Sequence, residues 1–338
     1  MELGFYSFVE TRRDPATGQP SGLERSFADM IEQGEAADRF GLDVFGLGEH
    51  HRPDYAVSAP PVALAAVAAR TSKVKLGSAV TVLSSDDPVR VYQQFATLDL
   101  LSNHRAEIMV GRGSFIESYP LFGLSLDDYD ELFAEKLDLL LKIRAGTRVT
   151  WSGKHRAPLD GQGVYPRTRA DLPVWIAVGG TPQSVVRAGM LGLPLALAII
   201  GGDPIRFTQL ADLYAQASAR GGNSAAQKLS INGHGFIADT KQAAVDAFFP
   251  AYAETMTRIG RERGWPPLTR AQFEAGMGPE GHLFIGTPDD VTAKIKRLKA
   301  HFKLDRYVMQ MHVGPVDQAA LLRSIELMGT AVAVGVRG

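Results

Sequence analysis

The chain of 338 residues is long enough for two average domains or one large α/β barrel, and no Pro/Ser linker, charge block or low-complexity tract divides it. Its 36 basic and 37 acidic residues nearly cancel and are scattered, which argues against a nucleic-acid partner, and the longest apolar runs, 60–69 and 193–200, are too short to span a bilayer. Cysteine is absent, which excludes disulfides, thiolate metal sites and a thiol nucleophile; residues 1–5 begin on strand-like side chains without a basic leader, so a cytoplasmic location is expected.

Short apolar runs alternate with helical patterns along the whole chain. Residues 3–8 read as a strand, and 23–40 as an amphipathic helix closed by Gly41. A second strand is expected over 44–48, and a helix over 60–70 opened by proline. A third strand follows over 75–83, then a helix over 88–101. The fourth strand, 106–110, leads into Gly111-Arg112-Gly113, with a long helix over 127–144. Strands over 173–178, 194–200, 229–237 and 306–312 complete the series, each followed by a helical pattern. The strands are nearly continuous in Val, Ile, Leu and Ala, as in a parallel sheet covered on one face and filled on the other.

Eight strand–helix units in alternation fit a closed barrel or a doubly wound sheet. No Gly-x-Gly-x-x-Gly follows the first strand, and eight is the barrel number, so the expected fold is a (β/α)₈ TIM barrel in one domain. Insertions are expected after strands 4 and 7. Residues 147–169 form a small strand-and-loop excursion, and 264–286 a connection long enough to be a mobile lid or a plain solvent-exposed insertion.

Four motifs carry chemistry. Gly48-Glu49-His50-His51 stands at the end of the second strand, where barrel enzymes keep their ionisable groups. One histidine there can hydrogen-bond a heterocycle while the other packs or pairs with Glu49; a pair of satisfied loop histidines fits the local sequence as well. Adjacent histidines do not converge on one ion and no His-Glu-x-x-His spacing exists, so no metal is expected. In Gly111-Arg112-Gly113-Ser114 the glycines admit a ligand to the backbone and Arg112 offers a forked donor suited to phosphate. Gly179-Gly180-Thr181-Pro182-Gln183-Ser184 opens a helix with Thr181 as its N-cap, and the exposed amides there suit an anion. Locally, an ordinary capped helix fits equally. Ala79-Val80 puts small side chains at a strand end, where a flat ring can lie against backbone or a core strand can simply continue.

Three segments, taken in order, are similar to one known family. They are Phe40-Gly41-Leu42-Asp43-Val44-Phe45-Gly46-Leu47-Gly48-Glu49-His50-His51, the stretch 75–90 ending Asp87-Pro88-Val89-Arg90, and Leu98-Asp99-Leu100-Leu101-Ser102 with Arg105 before the glycine turn. Ile285-Gly286-Thr287-Pro288 matches the same family near its end. Together they resemble the bacterial luciferase family of flavin-dependent monooxygenases. The resemblance implies reduced FMN as cofactor and reaction with O₂ to oxidise a small organic substrate. It implies that His50 is the catalytic residue beside the flavin's reacting edge, and that Ala79-Val80 forms a non-prolyl cis peptide under the ring. Arg112 would bind the phosphate, helped by the loop holding Gly180, Thr181 and Gln183. Gly111 and Gly179 belong to the same cofactor shell.

The chain departs from the light-emitting members. Gly111 stands where they carry a cysteine, and Gly179-Gly180 where they carry an acidic residue and a serine; His104 replaces the usual glycine before Arg105. Neither light emission nor an aldehyde substrate is therefore implied. An apolar, aromatic pocket is expected between Phe8, Phe115, Trp175, His312 and the segment 264–286. Two alternatives stay open: an F420-dependent hydride-transfer enzyme, which needs room and cations for a polyanionic tail, and a non-catalytic flavin-binding protein. A homodimer is expected through the helix at 60–70, rich in Ala63, Ala65, Ala66, Ala68 and Ala69. No glycine fingerprint remains for a nicotinamide dinucleotide: His51 and Ile116 occupy the third-glycine positions after Gly46-x-Gly48 and Gly111-x-Gly113. A separate flavin reductase is therefore the expected electron donor.

Overall fold

In the computed structural model, which describes every residue except 14–16, 18–19, 114 and 170, eight parallel strands close into a ring. They are β1 (Glu2–Ser7), β2 (Val44–Leu47), β3 (Lys75–Ser78), β4 (Ala106–Gly111), β5 (Val174–Val178), β6 (Leu195–Ala198), β7 (Leu229–Ile237) and β8 (Arg306–His312). Each pairs with the next, and β8 returns to β1 with Glu2 opposite Arg306. The TIM barrel expected from the alternation is the fold.

Alternation along each strand divides the apolar mass in two. Leu3, Phe5, Phe45, Leu76, Ile108, Ile176, Leu195, Leu197, Tyr307 and Met309 point outward into the main core beneath the helices. Met109, Trp175 and Ala196 form a separate cluster inside the ring, with Val80 and Ala177 beside it. The base of the interior is closed by charge: the buried Arg306 guanidinium pairs with the buried Glu107 carboxylate and lies 4.3 Å over the Trp175 ring. Such a pair needs both partners, since either charge alone would be desolvated without compensation.

The outer layer comprises α1 (Leu23–Arg39), α2 (Pro60–Ala68), α3 (Pro88–Leu101), α4 (Tyr129–Ala145), α5 (Pro182–Met190), α6 (Thr208–Arg220), α7 (Lys241–Arg263), α8 (Arg270–Met277), α9 (Pro288–His301) and α10 (Gln318–Leu327). Gly41, just past α1, has φ +78°, the left-handed geometry expected of a helix stop. Asp87 caps α3 by accepting from the Val89 and Arg90 amides at 2.9 and 3.2 Å. One helical stretch, Gln318–Arg337, is long and apolar enough to cross a membrane by composition; here Leu321, Ile325, Met328 and Val332 on it are buried against the protein.

One feature differs from the strand pattern read in sequence, and the cis peptide that the resemblance implied lies within it. The run 75–83 is not one strand: the ladder stops at Ser78, the Ala79-Val80 peptide is cis, and Thr81–Val82 pairs again with β4. After α4, Arg148–Trp151 and Leu159–Gly163 form an antiparallel hairpin within 147–169. Within 264–286, Phe273 of α8 packs on Phe249 and Tyr252 of α7 at 4.9 and 5.7 Å, and Phe284–Gly286 runs parallel to the end of β7.

Candidate active site

A cavity of about 500 Å³ opens at the carboxyl ends of the strands, within the range typical of small-molecule sites. Its space comes from small inward residues. Gly111, Ala177, Ala196 and Ala198 line it where larger side chains would fill the barrel. Gly48 serves a neighbour, because a Cβ there would overlap the Phe8 ring.

Glu49 and His50 follow β2 directly, and both line the cavity. Glu49 accepts from His51 Nε2 at 2.9 Å and from the Val82 amide at 2.9 Å, so its carboxylate secures the chain just past the cis peptide. His50 faces the cavity. Its ring sits 4.2 Å from Phe8, 4.3 Å from Tyr55 and 5.4 Å from Phe115, and its Nδ1 is buried with no hydrogen-bond partner. Burial first, then the neighbouring His51 and Arg52, push its pKa down to about 3. The imidazole is therefore neutral at physiological pH, with its buried Nδ1 unpaired among the described residues.

Arg112 and Thr181, remote in sequence, meet across the cavity. Arg112 Nη2 donates to Thr181 Oγ1 at 2.9 Å, its Nη1 pairs with the exposed Asp130, and its guanidinium lies 4.9 Å over the Tyr129 ring. Thr181 holds the N-cap position of α5, but its hydroxyl makes no capping bond and is turned to Arg112 instead. The sequence reading of Thr181 as a conventional cap is corrected to that extent. The α5 amides and a fixed guanidinium thus converge on one spot, a combination suited to a phosphate.

Of the residues singled out in sequence, His50, Ala79, Val80, Gly111, Arg112, Gly179 and Thr181 line the cavity; Gly180 and Gln183 lie beside it without lining it. A Cβ on Gly111 would meet Val80 Cγ2 at 3.0 Å, so these two positions face each other closely. Ser114 is outside the described residues. Phe8 and Phe115 are walls as expected, whereas Trp175 and His312 are not. Trp175 lies lower in the barrel, stacked on the Arg306 guanidinium, and His312 Nδ1 is held near Ser7 Oγ and Glu10 at 3.3 and 3.4 Å. No residue of 264–286 lines the cavity; its mouth is covered instead by Phe115, Glu117, Ser118 and Arg263. Arg52 ties this cover together by pairing with Glu117 and Glu262 while lying 4.5 Å over the Phe115 ring.

Sequence reading missed the far wall, formed by Tyr6, Asn232, His234 and Gln310. The available signal was Ser230, Asn232 and His234 at alternate positions of an otherwise buried strand, and Gln310 in a similar position on β8. At the surface, Asp128, Glu131 and His155 have ligand-type atoms within 4.8 Å of one another, but the Lys154 ammonium already lies 2.7 Å from Glu131 Oε2.

A profile of the luciferase-like monooxygenases matches residues 1–302. The chain is 32% identical to an uncharacterised Sinorhizobium fredii protein over 52% of its own length and 52% of that relative's. It is 26% identical to 4-hydroxyprotoasukamycin monooxygenase of Streptomyces nodosus subsp. asukaensis, covering 90% of this chain and 85% of the relative. An F420-dependent glucose-6-phosphate dehydrogenase of Amycolatopsis mediterranei is 32% identical over 48% of this chain and 51% of its own length. Among solved structures, the monooxygenase RslO1 of Streptomyces bottropensis superposes with TM-score 0.83 at 22% identity, covering 99% of each chain. The FMN-bound oxygenating component of 3,6-diketocamphane monooxygenase from Pseudomonas putida gives 0.77 at 17%, covering 99% of this chain and 98% of the other.

Proposed function

The chain belongs to the luciferase-like monooxygenases, and from that membership we propose that it is a cytoplasmic oxidoreductase that takes reduced FMN and uses O₂ to oxidise a small organic molecule. The observation that carries the cofactor reading is the meeting of Arg112 with Thr181 at the start of α5, in the same cavity as a neutral His50 with a partnerless Nδ1. Those residues fit FMN. Arg112, Thr181 and the first-turn amides of α5 would hold the phosphate, and Ala79-Val80 with Gly111 would border the ring. When bound, FMN supplies the electrons that activate O₂. The chain's own contribution is placement and exclusion of water: Phe8, Tyr55 and Phe115 enclose His50, whose Nδ1 is the atom that would hold or pass a proton.

F420 is the competing occupant, supported by the F420-dependent relative. Its longer polyanionic tail needs cations, and among the described residues those lining the cavity are Arg112 and Arg263. We further propose that a separate flavin reductase delivers the electrons and that the chain pairs with a second copy through α2. The deciding experiment titrates the protein with FMN and with F420, then mixes the better ligand anaerobically with NADH or NADPH. Preference for FMN, with slow bleaching that becomes fast on adding a flavin reductase, is expected. Preference for F420 would overturn the cofactor reading, and rapid bleaching without reductase would overturn the two-component reading.

A further inference from the structure

FMN placed as proposed above covers the arc from β2 to β5 and leaves the arc through β6, β7, β8 and β1 for the substrate. Tyr6, Ala196, Ala198, Ile200, Asn232, His234 and Gln310 line that arc, and none carries a fixed charge. His234 is buried, with Nδ1 3.3 Å from the Tyr252 hydroxyl, and burial pushes its pKa down to about 3, so it is neutral. Tyr6 is held in its neutral form by burial and by the Glu10 carboxyl. Asn232 Oδ1 accepts from Ser230 Oγ at 2.8 Å. That bond turns the amide oxygen away, and the Asn232 amide nitrogen has no partner among the described residues. Gln310 Nε2 donates to the His312 carbonyl at 3.2 Å, which fixes the amide plane beside His234.

The arc therefore offers donors without countercharges. An ionised substrate group would lose its hydration there with nothing to replace it. A purely apolar substrate would leave the Asn232 amide unsatisfied. Met109, Ala177 and Ala196 beneath are apolar and close-packed, so the body of the ligand must be apolar too. Resting on the FMN reading, we propose that Asn232 and His234, braced by Ser230, Tyr252 and Gln310, form the specificity subsite for the carbonyl or hydroxyl oxygen of an uncharged, otherwise apolar substrate.

Three probes on one skeleton test this: 1-indanone, indane and indane-1-carboxylate, titrated by calorimetry into the protein, both FMN-saturated and flavin-free. The ketone should bind about ten-fold more tightly than the hydrocarbon, as one well-placed hydrogen bond allows, and the carboxylate should bind most weakly. Asn232→Leu and His234→Leu should each remove most of the ketone's advantage, with indane bound at least as tightly as before, while His234→Gln should restore part of it. FMN affinity measured in parallel reports whether each variant is folded. Equal affinity for ketone and hydrocarbon, equal losses for both in the variants, preference for the carboxylate, or no ketone binding at millimolar concentration would each overturn the subsite. Failure of FMN itself to bind would overturn the cofactor reading instead, with the probe ranking on flavin-free protein still deciding the subsite.

Discussion

At the scale of single residues, the cofactor reading turns on Arg112. Its Nη1 is engaged by an exposed carboxylate, Asp130, which is 78% accessible, so that pairing contributes little. The bond to Thr181 and the stack on Tyr129 hold the guanidinium in place. Arg112→Ala should therefore weaken FMN binding by about 1.5–3 kcal/mol, the range for a hydrogen bond to a charged group. Riboflavin, which lacks the phosphate, should bind both proteins equally in the same fluorescence titration. Matching losses for the two ligands would show that Arg112 only shapes the loop. The residue types at this spot were legible in sequence, although a glycine-rich turn and a capped helix start each fit an ordinary role as well. Their meeting was implied by the family resemblance and not by any local pattern, because Arg112 and Thr181 come from the ends of two different strands.

At the scale of elements, α2 is the informative case. Ala63, Leu64, Val67 and Ala68 are buried against the barrel, whereas Val62 is 69% exposed on the same helix. Leu101 at the end of the adjoining α3 is 66% exposed, so the two helices present exposed apolar side chains on a strip shared with Arg90, Gln93, Gln94 and Thr97. Light scattering at micromolar concentration should give twice the chain mass, and Val62→Glu, a charge placed in that strip, should return the mass of one chain without altering FMN affinity. A monomer mass for the unaltered protein would assign the alanines to barrel packing alone. At the break after β3 the apolar pattern gave one strand over 75–83, whereas the family resemblance placed a cis peptide at Ala79-Val80, and that peptide is cis. Nothing in Gly77-Ser78-Ala79-Val80-Thr81-Val82 interrupts the apolar pattern, and the Glu49 carboxylate that bonds to the Val82 amide comes from another strand end.

For the whole molecule, the buried ionisable groups set how stability responds to acid. His50 and His234 are held near pKa 3 and His282 near 4, all by burial first. Each is neutral in the fold but protonated in the unfolded chain below about pH 6.5, so unfolding takes up protons and stability falls as pH drops. Between pH 7 and 5 each costs about 2 kcal/mol. Glu10 acts in the opposite sense: burial raises its pKa to about 8, so it keeps its proton in the fold while the unfolded chain loses it, and stability from this group grows as pH falls toward 5. Three histidines outweigh one carboxyl. Thermal melts should therefore show a lower Tm at pH 5 than at pH 7, and Glu10→Gln should make that drop larger by removing the opposing contribution. A Tm that is flat or higher at pH 5 would sink this account.

Local rules were sufficient for the barrel itself. Eight apolar runs spaced by amphipathic helices have few other ways to bury their faces, and the strand ends then locate the site. Local rules alone left His50, Arg112 and Thr181 open between ordinary loop and cap residues and a ligand site, and it was the family resemblance that joined them into a proposed flavin site. Only the tertiary structure decided which side of each strand faces inward. The polar residues at alternate positions of β7 mark one face but not which way it points, so Asn232, His234 and Gln310 joined the site only when the ring closed around them. The same closure stacked Trp175 on Arg306 and set Phe115, gripped by Arg52, over the mouth, because pairing across the barrel depends on register between strands far apart in the chain.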